Sequence, residues 1–277
     1  MEDRRKSMRF KLFVKIFIFG LSVLLLSCET IQKFFDTIGN SVSEVSGGNT
    51  NSQGNSTPLS SSRNDPNRRA DPDAANWDIK TLDTAANVDY LTGIEKDVIL
   101  EMNKVRTNPK KYAELYIQPR LRYFSGNNYS VPGQITIVTQ EGATAVNGCI
   151  TALNRANSVG ILTPERGLSL AAKDHVTDQS RTGQTGHNGS DRSTPETRMR
   201  RYGAFGGSWT LGENIAYGDT TGREIVCSLL IDDGVPSRGH RTNIMNRAFT
   251  QTGVGYGTHT QYRTSCTITY ANGYSSN

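Results

Sequence analysis

Apolar residues are distributed along this 277-residue chain in three regimes. They are nearly continuous over 16–26 and sparse over 39–62, where 19 of 24 residues are Gly, Ser, Asn, Thr or Pro; from about Leu91 they become periodic. Ile94, Val98, Met102 and Val105 recur at helical spacing until Asn108-Pro109 interrupts them. Residues 110–117 continue as a turn-rich or helical piece, and 120–142, with Pro132-Gly133 inside it, read as loop. A helix is predicted over 143–157, with Val146, Cys149, Ile150 and Leu153 on one stripe. Another starts near Pro164-Glu165 and aligns Leu168, Ala171, Ala172, His175, Val176 and Gln179 on its inward face. Later, 214–217 read as a short strand, 223–233 as a helix stopped by Gly234 and Pro236, and 252–257 and 265–270 as two strands. The connection between these last strands is too short for a crossover helix, which makes the pair antiparallel. The order predicts an α+β domain in three α-β-α layers around a small antiparallel sheet. The glycine-rich strings at 203–207 and 253–257 read as a turn and a close-packed strand.

Composition changes the picture mainly at the N-terminus. The apolar run over 16–26 follows a basic segment and is shorter than the roughly 20 residues of a membrane-spanning helix, which suits a secretory signal. It ends in Leu-Leu-Ser-Cys, which resembles a bacterial lipobox, so residues 1–27 are expected to be removed and Cys28 to carry the lipid that holds the protein on a membrane. Residues 28–90 then form a disordered Ser/Asn/Gly-rich tether, reaching on the order of 45 Å as a flexible coil, and 91–277 form the folded domain. The signal holds six of the 31 basic residues and two of the 26 acidic ones, leaving 25 against 24. The mature chain is therefore close to neutral, and no basic cluster interleaved with aromatics points to nucleic acid. Cys149, Cys227 and Cys266 have neither metal-ligand spacing nor the number for a disulfide scaffold. Buried thiols are the expectation, with one bridge among the three left open.

Histidine is the scarce chemical resource, with four in the chain. His175 lies on an inward helical stripe and reads as a core residue. His187, in Thr-Gly-His-Asn-Gly-Ser-Asp, and His240, in Arg-Gly-His-Arg-Thr-Asn-Ile, sit in turn-like contexts, and the carboxylates of Gly-Glu213-Asn and Ile-Asp232-Asp lie between them in sequence. Neutral imidazoles bind Zn²⁺ at about 2.0–2.1 Å, with carboxylates ligating or orienting them. The same four groups can also simply hydrogen-bond in a polar cleft, and Glu213 can brace its own loop through backbone amides around Gly212 and Asn214. No nucleophile-elbow serine, HExxH helix, P-loop or dinucleotide fingerprint is present, and Ser190 and Ser237 have no triad spacing. Arg241 reads as a solvated turn residue or as a contact for an acidic ligand group.

In order and spacing, the segments LSLAAKDHVTDQ, GHNGSD, GENIAYG, RGHRTNIMN and GVGYG resemble the CAP superfamily, also called the SCP domain, and specifically its bacterial branch. The resemblance implies a three-layer α-β-α sandwich and a cleft lined by two histidines and two acids. It carries the first histidine to His187, the GEN carboxylate to Glu213, the second histidine to His240, and the fourth corner, usually a glutamate, to Asp232. It further implies an extracytoplasmic binding or interaction module whose His187 and His240 hold a divalent metal such as Zn²⁺, with lipid, sterol, glycan or protein ligands. The alternatives are a metal-dependent envelope hydrolase with Glu213 as its general base, and a domain whose tetrad is vestigial.

Overall fold

The computed structural model describes residues 73–277. The signal peptide, Cys28 and the tether up to residue 72 lie outside the described residues. Residues 73–233 and 237–277 fall in one compact unit, to which every element below belongs.

The helices are α1 (Ile79–Leu82), α2 (Gly93–Thr107), α3 (Pro109–Tyr112), α4 (Ala143–Arg155), α5 (Arg166–Thr182), α6 (Pro195–Arg200), α7 (Gly222–Ile231) and α8 (Gly239–Ile244). Each long helix starts and stops for a local reason. α2 opens with a capping box, in which the Thr92 N–H donates to the Glu95 carboxylate at 2.7 Å. Asn108 then caps α3, whose first residue is a proline. α5 ends at Gly183 in the left-handed region. Among the described residues, no helix is long and apolar enough to cross a membrane.

The main sheet has the order β4-β6-β7-β5, built from β4 (Thr163–Pro164), β5 (Gly203–Tyr217), β6 (Gln251–His259) and β7 (Arg263–Ser276). β7 lies antiparallel to both β5 and β6. Alternation along these strands separates the layers. Val254, Cys266, Ile268 and Tyr270 join the large core with Val98, Met102, Val105, Cys149, Leu153, Ile225 and Leu229 from α2, α4 and α7. On the other face, Gly253, Gly255 and Gly257 lie under α5, and Ala271 and Tyr274 pack with Leu168, Ala171 and Met199. The result is the expected α+β sandwich of three layers. Cys149, Cys227 and Cys266 are buried and unbridged.

Several local expectations change. The packed unit reaches further toward the N-terminus than Leu91: Leu82 and Ala85 are buried, and Asn103 Nδ2 donates to the Leu82 carbonyl at 2.9 Å. Those apolar residues are too widely spaced to show a helical period, and so residues 73–90 read as tether. The short strand at 214–217 is the end of a 15-residue strand that begins at Gly203, with a register shift between Phe205 and Thr210. The glycines at 203–207 belong to that irregular strand and not to a free turn. The 120–142 region is not all loop: β1 (Phe124–Ser125), β2 (Asn128–Tyr129) and β3 (Ile137–Val138) form a small second sheet. β4 pairs parallel with β6, so the main sheet is not purely antiparallel. The chain between them is long enough for that crossover.

Arg106, buried on α2, ties this scaffold to the segment carrying His240. Its Nε–H donates to Gly160 O at 2.7 Å, its Nη1 group to Ile244 O and Asn246 O, and its Nη2 group to Phe249 O at 2.8 Å. Unpaired buried carbonyls are costly, so one guanidinium fixes where α8 ends.

Candidate functional site

The site is built along β5, an edge strand of the main sheet. Glu213 and Asn214 are neighbours on it, and their side chains leave on opposite faces. Gly212 before them is required by packing: a Cβ there would sit 2.9 Å from the Phe249 ring.

Glu213 reaches the loop after α5. Its Oε1 accepts from His187 Nδ1 at 2.9 Å and its Oε2 from Arg198 Nη2 at 2.7 Å. The Glu213 and Arg198 side chains are each 2% exposed, against 49% for His187. A carboxylate has no proton to give, so His187 donates to Glu213 through Nδ1–H and turns Nε2 away from it. The bracing of backbone amides considered from sequence is not what Glu213 does; its carboxylate goes to the imidazole and the guanidinium.

Asp232 and His240 form the second pair. Asp232 follows α7 with φ 59°, and its Oδ1 accepts from His240 Nδ1 at 2.6 Å. Its Oδ2 accepts the backbone N–H groups of His240 at 3.0 Å and Arg241 at 3.4 Å, at the start of α8. Asp232 is fully buried and the His240 side chain is 26% exposed. The neighbouring Asp233 is occupied elsewhere, accepting the backbone N–H groups of Gln140 and Glu141. Asn214 and Asn243 connect the two halves. Asn214 Nδ2 donates to the His240 carbonyl at 3.0 Å, and Asn243 Nδ2 donates to Asn214 Oδ1 at 2.9 Å and to the Glu213 carbonyl at 3.3 Å.

The other two histidines are buried supports for the His187 loop. His175 Nε2 meets Gly186 O at 2.8 Å, and His259 Nε2 meets Gln184 O at 3.1 Å. The Gly186 N–H donates to Tyr217 Oη at 3.1 Å. Burial lowers the His175 pKa from its ordinary value, against the opposing attraction of Glu213. The core role expected of His175 therefore has a second purpose, which is to hold the peptide next to His187.

Arg198, Asn243 and His259 were not singled out in the sequence. Arg198 offered no signal of its own, because an arginine buried in a short, polar helix looks in sequence like a solvated one. Arg241 is not simply solvated: its Nη1 donates to Leu230 O at 3.0 Å, at the end of α7. Ser190 is hydrogen-bonded to Asp178, with no histidine beside it, which removes it as an activated nucleophile.

The donor set suits a borderline transition metal in one respect. Each imidazole engages a carboxylate through Nδ1 and, among the described residues, leaves Nε2 without a hydrogen bond, the arrangement in which an outer carboxylate orients a ligating histidine. Among the described residues, no group of three or more His, Cys, Asp or Glu side chains is gathered as a metal cage. From these residue types the site offers two imidazoles, with both acids turned inward.

The sequence model of the cysteine-rich secretory protein family, CAP, matches residues 101–271. No curated protein matches the chain by sequence. Among solved structures, it is similar to an outer surface protein from Borrelia burgdorferi at 19% identity and a TM-score of 0.33, covering 44% of this chain and 82% of that one. It is also similar to an extracellular protein containing an SCP domain from Bacillus anthracis, at 22% identity and a TM-score of 0.32, covering 45% of this chain and 37% of that one.

Proposed function

The chain belongs to the cysteine-rich secretory protein (CAP) family, and we propose that it is a lipid-anchored binding module of the bacterial envelope whose His187 and His240 present Nε2 to a divalent metal, zinc foremost. The observation that carries this reading is the paired locking of the imidazoles: each Nδ1 faces a buried carboxylate, and the opposite ring nitrogen is left for a ligand. Two imidazoles suit zinc, copper or nickel, whereas magnesium and calcium want oxygen ligands that these inward-turned acids do not supply. Bound zinc would add a Lewis-acid centre to the cleft. The protein's part is to hold both rings in one tautomer and to shape the surrounding surface for a lipid, sterol, glycan or protein ligand.

The rival is a metal-dependent hydrolase with Glu213 as general base. It is disfavoured by the engagement of both Glu213 oxygens and by the carboxylate's burial against Arg198. A general base needs an oxygen within hydrogen-bond reach of the proton it takes. The Glu213→Gln variant separates the two. On the binding reading, neither wild type nor variant turns over peptide or glycan substrates with zinc present; wild-type turnover lost in the variant with zinc retained would establish the hydrolase.

The anchoring half of the proposal rests on the Leu-Leu-Ser-Cys end of the signal-like run. Cys28→Ala should release the protein from the membrane fraction, and unchanged retention would defeat the lipobox reading.

A further inference from the structure

Arg198 joins two separate parts of the chain. Its Nη2 group donates to Glu213 Oε2 at 2.7 Å, while its Nη1 group donates to the carbonyls of His187 at 3.1 Å and Ser193 at 3.0 Å. Those carbonyls bracket the turn over 187–193. A single buried guanidinium therefore grips the backbone of His187 and also the carboxylate that orients its ring. The planar fork of arginine serves several acceptors in fixed directions, which the single ammonium of lysine does not reproduce. Arg198 also supplies the counter-charge for Glu213, so the carboxylate meets His187 as one acceptor within a neutral pair. The His240 half is built differently: the Asp232 carboxylate accepts backbone N–H groups of α8, and Arg238 donates to the Asp232 backbone carbonyl.

We infer that Arg198 is the positioning residue of the His187 half of the site, fixing that imidazole as the Nδ1–H tautomer with Nε2 outward, while His240 is set independently of it. The tautomer does not depend on the metal; the consequence for zinc affinity rests on the function proposed above.

The test is long-range proton–nitrogen NMR of the histidine rings in the isotopically labelled full chain, with amide exchange over 187–193 measured alongside. Wild type should show His187 and His240 both as Nδ1–H. Arg198→Lys, which keeps the charge but not the fork, should remove the Nδ1–H signature from His187, speed exchange in the turn at least about tenfold and leave His240 unchanged. The double variant Arg198→Met/Glu213→Gln leaves no unpaired buried charge to compromise folding, and it should do the same. His187 retaining its tautomer and its loop protection in both variants would overturn the assignment, as would equal loss at His187 and His240, which marks general unfolding. Zinc affinity should fall about 10–100-fold in both variants. Absence of zinc binding in wild type would refute the metal reading while the ring spectra still decide the role of Arg198.

Discussion

Replacing Gly253 with alanine would drive a methyl group into the backbone of α5. Gly253, Gly255 and Gly257 advance two residues at a time along one face of β6, and Leu168, Ala172 and Val176 advance four at a time along α5. Two strand residues rise about 6.7 Å and four helical residues about 6 Å, so the helix can lie along the strand with one glycine under each turn. A Cβ at Gly253 would stand 2.2 Å from Leu168 C and Ser169 N, one at Gly255 2.7 Å from Ala172 C and Lys173 N, and one at Gly257 2.8 Å from a Val176 methyl. Ordinary contact begins at 3.4 Å, so Gly253→Ala requires α5 to retreat locally by about 1 Å in an interior packed like a crystal. Overpacking costs about 1–3 kcal/mol, and a clash with backbone belongs at the upper end. In a domain of 150–250 residues, about 3 kcal/mol lowers Tm by roughly 6–12 °C. Gly257→Ala meets only a side-chain methyl and should cost about 1 kcal/mol. None of the three glycines has a left-handed φ, so backbone strain does not confuse the comparison. Thermal unfolding of the three variants should rank Gly253→Ala as most damaging and Gly257→Ala as least. Equal effects, or a Gly253→Ala variant as stable as wild type, would refute the close-packing argument.

Other consequences follow from the buried charges and histidines. Arg198→Met, which strands Glu213 in the interior, should cost about 3–5 kcal/mol, and adding Glu213→Gln should recover much of it; denaturant titration reads both. The pKa of His175 is lowered from 6.5 by burial, so the unfolded chain binds a proton more readily, and stability falls as pH drops below about 6.5. Asp219, pushed up to about 6 by burial, works in the opposite direction over the neighbouring range. The contribution of His175 is therefore read as the difference between wild type and His175→Gln: between about pH 7 and pH 5, wild type should lose stability relative to the variant.

The layers of the fold were legible in the sequence because their signals are local. The apolar stripes of α2, α4, α5 and α7 repeat at helical spacing, and the last two strands flank a short polar turn. Residues 73–90 were not legible, since they enter the core through a few contacts such as Leu82 and Ala85 and lack a periodic stripe. β5 was recognised only at its apolar end, because Gly206, Gly207 and Ser208 interrupt the alternation where its register shifts. At the site, the pairing of Glu213 with His187 crosses 26 positions, and the resemblance supplied the residues without saying which acid serves which ring. Arg198 was invisible because its importance comes entirely from burial and from three partners remote in sequence or hidden in the backbone.

The most direct measurement is calorimetric titration of the full chain with zinc, comparing wild type, His187→Ala, His240→Ala and their combination. Saturable binding is expected in wild type, with marked weakening in each single variant and loss in the double. Zinc binding that survives removal of both histidines, or none in wild type, would contradict the claim that their outward Nε2 atoms form the metal site.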